Sequence, residues 1–394
     1  MKASWFTLNE TGGLLHKKLA RHMNTTSSKF FLTFIIAFLI STPCLAEKHE
    51  VKIGVLTPLS GPRADAGEFQ QNGALLALEH LVENNEESSH SLKLIYDDTR
   101  YEPRAALTAY QSQRTLHNIS YFIGPYGSSE VMAVAPVSER DGALLLLPGA
   151  QSDEISTAGT RIFRFIHNAS QEAPFFARFI ADRIGNEELC IAAASTAFTA
   201  PYIQRFKTEF TSAEKRVARV EEFEVHLTDF RSMLLRLKSL CDSHILILGT
   251  PLNTAHILRQ ASDINFKPKW YGLGVEGPEL FELPNEISRG LLYPYSFDSE
   301  SYLPAVSKFK EAYISRFGSK PDAVAANTYD SLILLNACLS KVGDKPDRVA
   351  ECLYATHDYQ GVSGAFSIDQ NGNAVRELFI KKIQGGKGER LNRY

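Results

Sequence analysis

Ser128 and Ser129 stand in the run GPYGSSE, between the strand-like segment SYFIG and a helical segment that begins at Val131. Two serines at a helix N-terminus, where free N–H groups and the helix dipole gather, favour an anion, and a ligand carboxylate would fit there. Serine is also a preferred N-cap, and on this feature alone capping is the more ordinary reading. A second feature is PGAQSDE, in which Pro148 and Gly149 stop a strand and leave the Ala150 carbonyl to accept a hydrogen bond; an ordinary turn accounts for it as well. The third is Glu276, in the glycine-rich GLGVEGPE, where a carboxylate could neutralise an ammonium. A solvated loop carboxylate is the plainer alternative.

Motifs for catalysis are not assembled. GLGVEG, residues 272–277, has the GxGxxG spacing, but a dinucleotide site needs a strand before it and a helix after it, and Glu276 would repel a pyrophosphate. There is no GxSxG elbow, HExxH, P-loop or CxxC pair. His80, His117, His226 and His256 are scattered without metal-ligand spacing. Asp97 and Asp98 end a strand-like run and invite an acid–base assignment, although capping of the following turn accounts for them. The expectation is a protein without enzyme activity, cofactor or metal.

These residues belong to a chain of 394 residues, 44% hydrophobic and 22% charged, the proportions of a globular protein. Its length exceeds what one core usually serves, so two lobes are expected. A net charge of -3 and the lack of a long basic run after residue 50 argue against nucleic acid. Residues 1–46 have the layout of a secretory signal peptide: Lys17, Lys18, Arg21 and Lys29, then the apolar FFLTFIIAFLI from Phe30 to Ile40, then STPCLA with cleavage after Ala46. That apolar run is about half the roughly 20 residues a membrane-crossing helix needs, which disfavours the alternative of a membrane anchor. Either Met1 or Met23 suits as the start.

Export to the periplasm implies an oxidising compartment, and four cysteines remain after cleavage. Cys190 opens the strand LCIAAA and Cys241 lies just before the strand HILILG, which neighbouring parallel strands would bring together; Cys338 and Cys352 lie on successive helical segments. Pairing within each couple is preferred among the three connectivities, and four free buried thiols are the alternative.

The exported part alternates strand-like and helical runs, the pattern of parallel sheets flanked by helices. One series has strands at 51–56, 92–98, 120–124 and 143–149, with helices at 67–82, 103–116 and 131–140. A second has helices at 174–184, 201–211, 230–240 and 255–261, with strands at 189–194, 218–225 and 244–249. Two βα series in tandem predict two doubly wound lobes, with ligands beyond the carboxyl ends of the strands.

Taken at their spacing, TPLSGPRADAGEFQQNGALLALEHL, DDTRYEPRAAL, FIGPYGSSEVMAVAPVSERDGALLLLPGA, ILRQASDINFKPKWYGLGVEG and GVSGAFSIDQNGN resemble the periplasmic branched-chain amino-acid-binding proteins, the type I solute receptors of ATP-driven importers. The likeness spans nearly all of 51–385. It implies an α/β fold of two doubly wound parallel-sheet lobes joined by three crossovers, divided into 47–168 with 299–362 and 169–298 with 363–394. It implies capture of a small, zwitterionic amino-acid-like ligand, delivered to membrane permease and ATPase subunits; a sensory or regulatory protein of the same fold is the alternative. By the resemblance, Ser128 holds the ligand carboxylate, the Ala150 carbonyl accepts from its ammonium and Glu276 pairs with that ammonium. Other pocket positions depart from the family pattern: Ala66 replaces an aromatic, Gln151 a threonine, Phe198 stands in AFTAP where the family has a tyrosine loop, and Thr250 replaces a further tyrosine. These departures put leucine, isoleucine and valine in doubt and point to a more polar pocket.

Overall fold

The computed structural model describes residues 49–84, 90–301 and 303–391. The signal-peptide reading of 1–46 lies outside the described residues.

The first lobe is built on a five-stranded, wholly parallel sheet in the order β2-β1-β3-β4-β5: β1 His49–Thr57, β2 His90–Asp98, β3 Tyr121–Ile123, β4 Leu144–Leu147 and β5 Ile162–Arg164. The crossover helices α1 (Ala64–Asn84), α2 (Pro103–His117) and α3 (Ser128–Arg140) connect the strands. The central strands read as unbroken apolar runs, LLLL in β4, because both faces of the sheet are covered. Ala106, Tyr110, Val131 and Val134 of α2 and α3 pack on one face with Phe122 and Leu145. Ala77 of α1 packs on the other with Ile53, Ile123 and Leu146.

At Asn168 the chain enters the second lobe through a reciprocal cap. The Asn168 side chain accepts from Gln171 N–H (3.0 Å), and Gln171 Oε1 accepts from Asn168 N–H (3.1 Å), opening α4 (Ala169–Ile184) five residues before the predicted start at Pro174. Then follow β6 Leu189–Ala194, α5 Thr199–Ser212, β7 Val217–Phe223, α6 Arg231–Leu240, β8 His244–Leu248, α7 Pro251–Asp263, β9 Lys269–Leu273, the short α8 Pro278–Phe281 and α9 Asn285–Ser288, and β10 Leu292–Tyr295. Thr250 caps α7 and Pro251 takes its first position, so this helix also starts earlier than its apolar residues suggest.

The chain returns to the first lobe with α10 (Pro304–Phe317), α11 (Ala323–Val342) and α12 (Pro346–Tyr354), and Leu332, Leu335, Val349 and Leu353 complete the second face of its sheet. A small antiparallel sheet of β11 Tyr359–Gly361, β12 Gly364–Ile368 and β13 Ala374–Val375 follows. Its Phe366, Ile368 and Ala374 join the same core, and the buried Arg164 stitches it on: Arg164 N–H donates to the Gly372 carbonyl (2.8 Å) and Nη2 to Asn373 Oδ1 (2.7 Å). The expected boundary at 362 is therefore corrected, because residues 363–375 belong to the first lobe and the last passage lies between β13 and β14 (Phe379–Gln384). β14 and β15 (Lys387–Arg390) extend the second sheet antiparallel to β10, giving the order β15-β14-β10-β9-β8-β6-β7.

Arg376 stands in that last passage and locks it. It donates to Asn327 Oδ1 (3.1 Å), to the Ser363 carbonyl (3.2 Å) and to the Phe165 carbonyl beside the first passage. Cys190 is joined to Cys241 and Cys338 to Cys352, with Cα–Cα distances of 5.9 and 5.8 Å. The sequence separations are 51 and 14, and restricting the unfolded chain is worth more for the longer loop: about 4 against about 3 kcal/mol. Urea unfolding of Cys190→Ala/Cys241→Ala and of Cys338→Ala/Cys352→Ala checks this; the first double variant is expected to lose more stability, and the reverse order would contradict the chain-entropy account.

Candidate functional site

Loops from the carboxyl ends of both sheets meet at one cavity of about 90 Å³. Arg63 comes from the loop after β1, Tyr101 from that after β2, residues 126–129 follow β3, and Gly149 and Gln151 follow β4. From the other lobe come Thr196 and Phe198 after β6, Val225 after β7, Thr250 after β8 and Gly274 after β9. This is where a parallel α/β sheet places its ligand. A second cavity, lined by His49, His90 and Asp344, lies at the amino ends of β1 and β2, the opposite end.

Ser128 does not cap its own helix. Gly127 is the N-cap of α3, and its N–H donates to the buried Glu130 carboxylate (2.7 Å), while Ser128 is the first helical residue. Its hydroxyl oxygen accepts from two backbone N–H groups across the lobe, Gln151 (3.1 Å) and Ser152 (3.0 Å). With its acceptor capacity used, the hydroxyl has its own proton left to donate at the cavity wall. Ser129 Oγ accepts from Ala197 N–H (3.2 Å), a bond between the first lobe and the second. Burial pushes Glu130 up to about 7, against the lowering by the Gly127 N–H, so the carboxylate beside the helix start is only partly charged near neutrality.

Gln151 lines the cavity, and its amide is held by His167 (2.8 Å) and Glu172 (3.4 Å), which are themselves 2.7 Å apart. Ala150 is buried between the lining residues Gly149 and Gln151. Phe198 lines the cavity with its ring against Tyr202. Thr250 lines it too, but its hydroxyl works in the cap of α7, accepting from Asn253 N–H (3.1 Å) and donating to Asn253 Oδ1 (2.9 Å).

Glu276 is where the structure departs from expectation. It is not among the residues lining the cavity. Its Oε1 accepts from Lys381 Nζ (2.7 Å) and Tyr293 O–H (2.6 Å), tying the loop after β9 to β14 and β10 within the second lobe. Lys381 also sits 4.4 Å from the Tyr295 ring centroid. The glutamate is thus already neutralised by a lysine 105 residues along the chain, which the local run GLGVEGPE could not reveal.

Arg63, Tyr101 and Tyr126 line the cavity and were not singled out by sequence. Arg63 donates through Nε and Nη2 to Asp65 (3.1 and 3.2 Å) and stands 4.8 Å from the Tyr126 ring centroid. Burial disfavours its charge, but Asp65 together with Tyr126 and Tyr101 outweighs burial and raises its pKa above the ordinary value. Ala66 is buried in α1 and is not among the residues lining the cavity. The tyrosine rings rest on glycine backbone: a Cβ would stand 2.5 Å from the Tyr101 ring at Gly127 and 2.3 Å from the Tyr126 ring at Gly149. Asp98, considered as an acid–base residue, accepts from Leu59, Ser60 and Arg100 N–H groups and from the Ser60 hydroxyl, and so shapes the loop that carries Arg63.

A family profile described as periplasmic binding protein matches residues 50–388. The chain belongs to the periplasmic binding protein family. It is 25% identical over 278 residues to a leucine-, isoleucine-, valine-, threonine- and alanine-binding protein of Pseudomonas aeruginosa, covering 69% of this chain and 74% of that protein. Among solved structures, a leucine-binding protein of Thermotoga maritima superposes with a TM-score of 0.80 at 24% identity, covering 87% of this chain and 98% of that one. A solute-binding protein of an R. palustris ABC transporter, in complex with benzoate, gives 0.79 at 19% identity over 87% and 95%. As a member of that family the chain is an extracytoplasmic ligand-binding protein and not an enzyme. Its two-lobed α/β fold is that of the family.

The Glu276–Lys381 pair is mainly structural in this binding protein. Its side chains are 12% and 6% exposed, and removing one partner of such a pair leaves an uncompensated buried charge, at a cost of about 3 kcal/mol. Glu276→Gln should lose roughly that in urea unfolding, and Lys381→Met in the same chain should restore most of it. A Glu276→Gln protein as stable as wild type would contradict the pairing.

Proposed function

We propose that the binding protein captures a small amino-acid-like carboxylate between its lobes and presents it to the permease and ATPase subunits of an ABC importer. Export by the segment ending at Ala46 would bring it to the periplasm. The observation that carries this reading is the donor character of the α3 N-terminus: Ser128 and Ser129 both accept from backbone N–H groups and keep their own protons to donate. A carboxylate there would complete bonds that the fold leaves open, aided by the helix dipole. The relatives whose names mention leucine and the neighbour that holds benzoate share a carboxylate, which supports the same end of the cavity as the anchor. For an amino acid, the ammonium would be met by the Ala150 carbonyl, since Glu276 is engaged by Lys381.

Calorimetry of the exported form against amino acids and small carboxylates tests the reading. With the tightest ligand found, Ser128→Ala removes a hydrogen bond to a charged group, typically about 1.5 to 3 kcal/mol, so affinity should fall roughly 10- to 150-fold. Undiminished affinity in Ser128→Ala, with unfolding unchanged, would sink it.

A further inference from the structure

We propose that Arg63 is a specificity-determining residue and that the cleft selects a carboxylate solute of net negative charge. The inference rests on the capture function above and adds the charge of its ligand. Arg63 is the only charged side chain among the residues that line the cavity, and no aspartate or glutamate is among them. The nearby carboxylates are engaged: Asp65 holds Nε and Nη2 of Arg63, Glu276 holds Lys381 and Tyr293, Glu130 holds Gly127 N–H, and Asp322 accepts from Ala325 N–H at the start of α11.

Arg63 is 7% exposed, yet Nη1 makes no hydrogen bond with the described residues. A guanidinium nitrogen with open donors at the cavity is placed to take a ligand acceptor, and a charged one makes the stronger bond. The side chain is also fixed in advance, gripped through two nitrogens by Asp65 and laid over Tyr126, so a ligand group meets a fork already in place. Among the other polar groups of the lining, the Ser128 and Ser129 hydroxyls have protons to donate, Tyr101, Tyr126, Gln151, Thr196 and Thr250 are neutral, and Phe198, Leu248 and Leu273 are apolar. One cation with no carboxylate in the lining suits an anion; a neutral zwitterion brings an ammonium that only neutral acceptors such as the Ala150 carbonyl would meet. The cavity, about 90 Å³, is smaller than the roughly 150 Å³ that takes benzene in an engineered protein core, so the solute is compact or the lobes part slightly to hold it.

Charged and neutral ligands of matched shape provide the test. Calorimetry of the exported protein is run with glutamate against glutamine, benzoate against benzamide, and leucine. The expected result is that the anion of at least one pair binds about tenfold or more tighter than its neutral partner and tighter than leucine; the pair that responds tells an acidic amino acid from a simple carboxylate. In Arg63→Gln that preference should fall to about threefold or less, and Arg63→Lys, which keeps the charge but not the fork, should retain part of it. If Arg63→Gln does not fold, as its thermal unfolding would show, the wild-type pair ratios still decide. Leucine binding tighter than every anion, or an unchanged preference in a folded Arg63→Gln, overturns the inference and leaves the capture function standing. No binding by any of the five compounds overturns both.

Discussion

The cleft depends on one hydroxyl. Ser128 Oγ takes the backbone N–H groups of Gln151 and Ser152, and so fastens the start of α3 to the loop beyond β4. Those two loops follow adjacent parallel strands, and without such a tie their ends would carry unpaired backbone donors close to the cavity. The bond fixes where the helix N-terminus points, and by occupying the oxygen it decides that the serine donates rather than accepts. The carboxylate anchor proposed at the α3 N-terminus follows from that direction.

A second regularity is that the strong charges near the cleft are settled inside a lobe before any ligand arrives. Arg63 with Asp65 belongs to the first lobe, and Glu276 with Lys381 to the second. Polar links between the lobes lie at several points, among them Ser129 to Ala197, Gln151 to Glu172, Ser170 N–H to Asp153, the Arg205–Asp153 ion pair, and Tyr295 O–H accepting from Ala323 N–H. A ligand that contacts both walls can then shift the closing equilibrium by its own differential affinity, without having to break a buried ion pair. Arg376, in the last passage between lobes, holds three segments at once and so keeps that passage defined.

Much of this was legible in the chain. Short β-rich runs alternating with helical periodicity gave β1 to β4 and β6 to β8, most plainly where strands buried on two faces read as unbroken apolar runs, whereas β5, β10, β14 and β15 were not read. GPYGSSE located the helix start, and Cys190 and Cys241 were pairable because each sits at the opening of a strand that proves to be a neighbour of the other. What was not legible was long-range. Glu276 looks free in its own loop, and only the antiparallel return of β14 beside β10 brings Lys381 to it. The boundary at 362 failed for the same reason, because the tie between Arg164 and Asn373 spans 209 residues. Arg63 could have been found: it lies just beyond the carboxyl end of the first strand, where a parallel sheet presents its ligand, but a lone arginine among small residues reads as surface.

The most direct measurement is a crystal structure of the exported protein with its tightest-binding carboxylate. The account predicts a ligand carboxylate oxygen within about 3 Å of Ser128 Oγ, with Glu276 still paired to Lys381. A ligand whose carboxylate lies away from the α3 N-terminus, or a Glu276 that has released Lys381 to take a ligand ammonium, would contradict it.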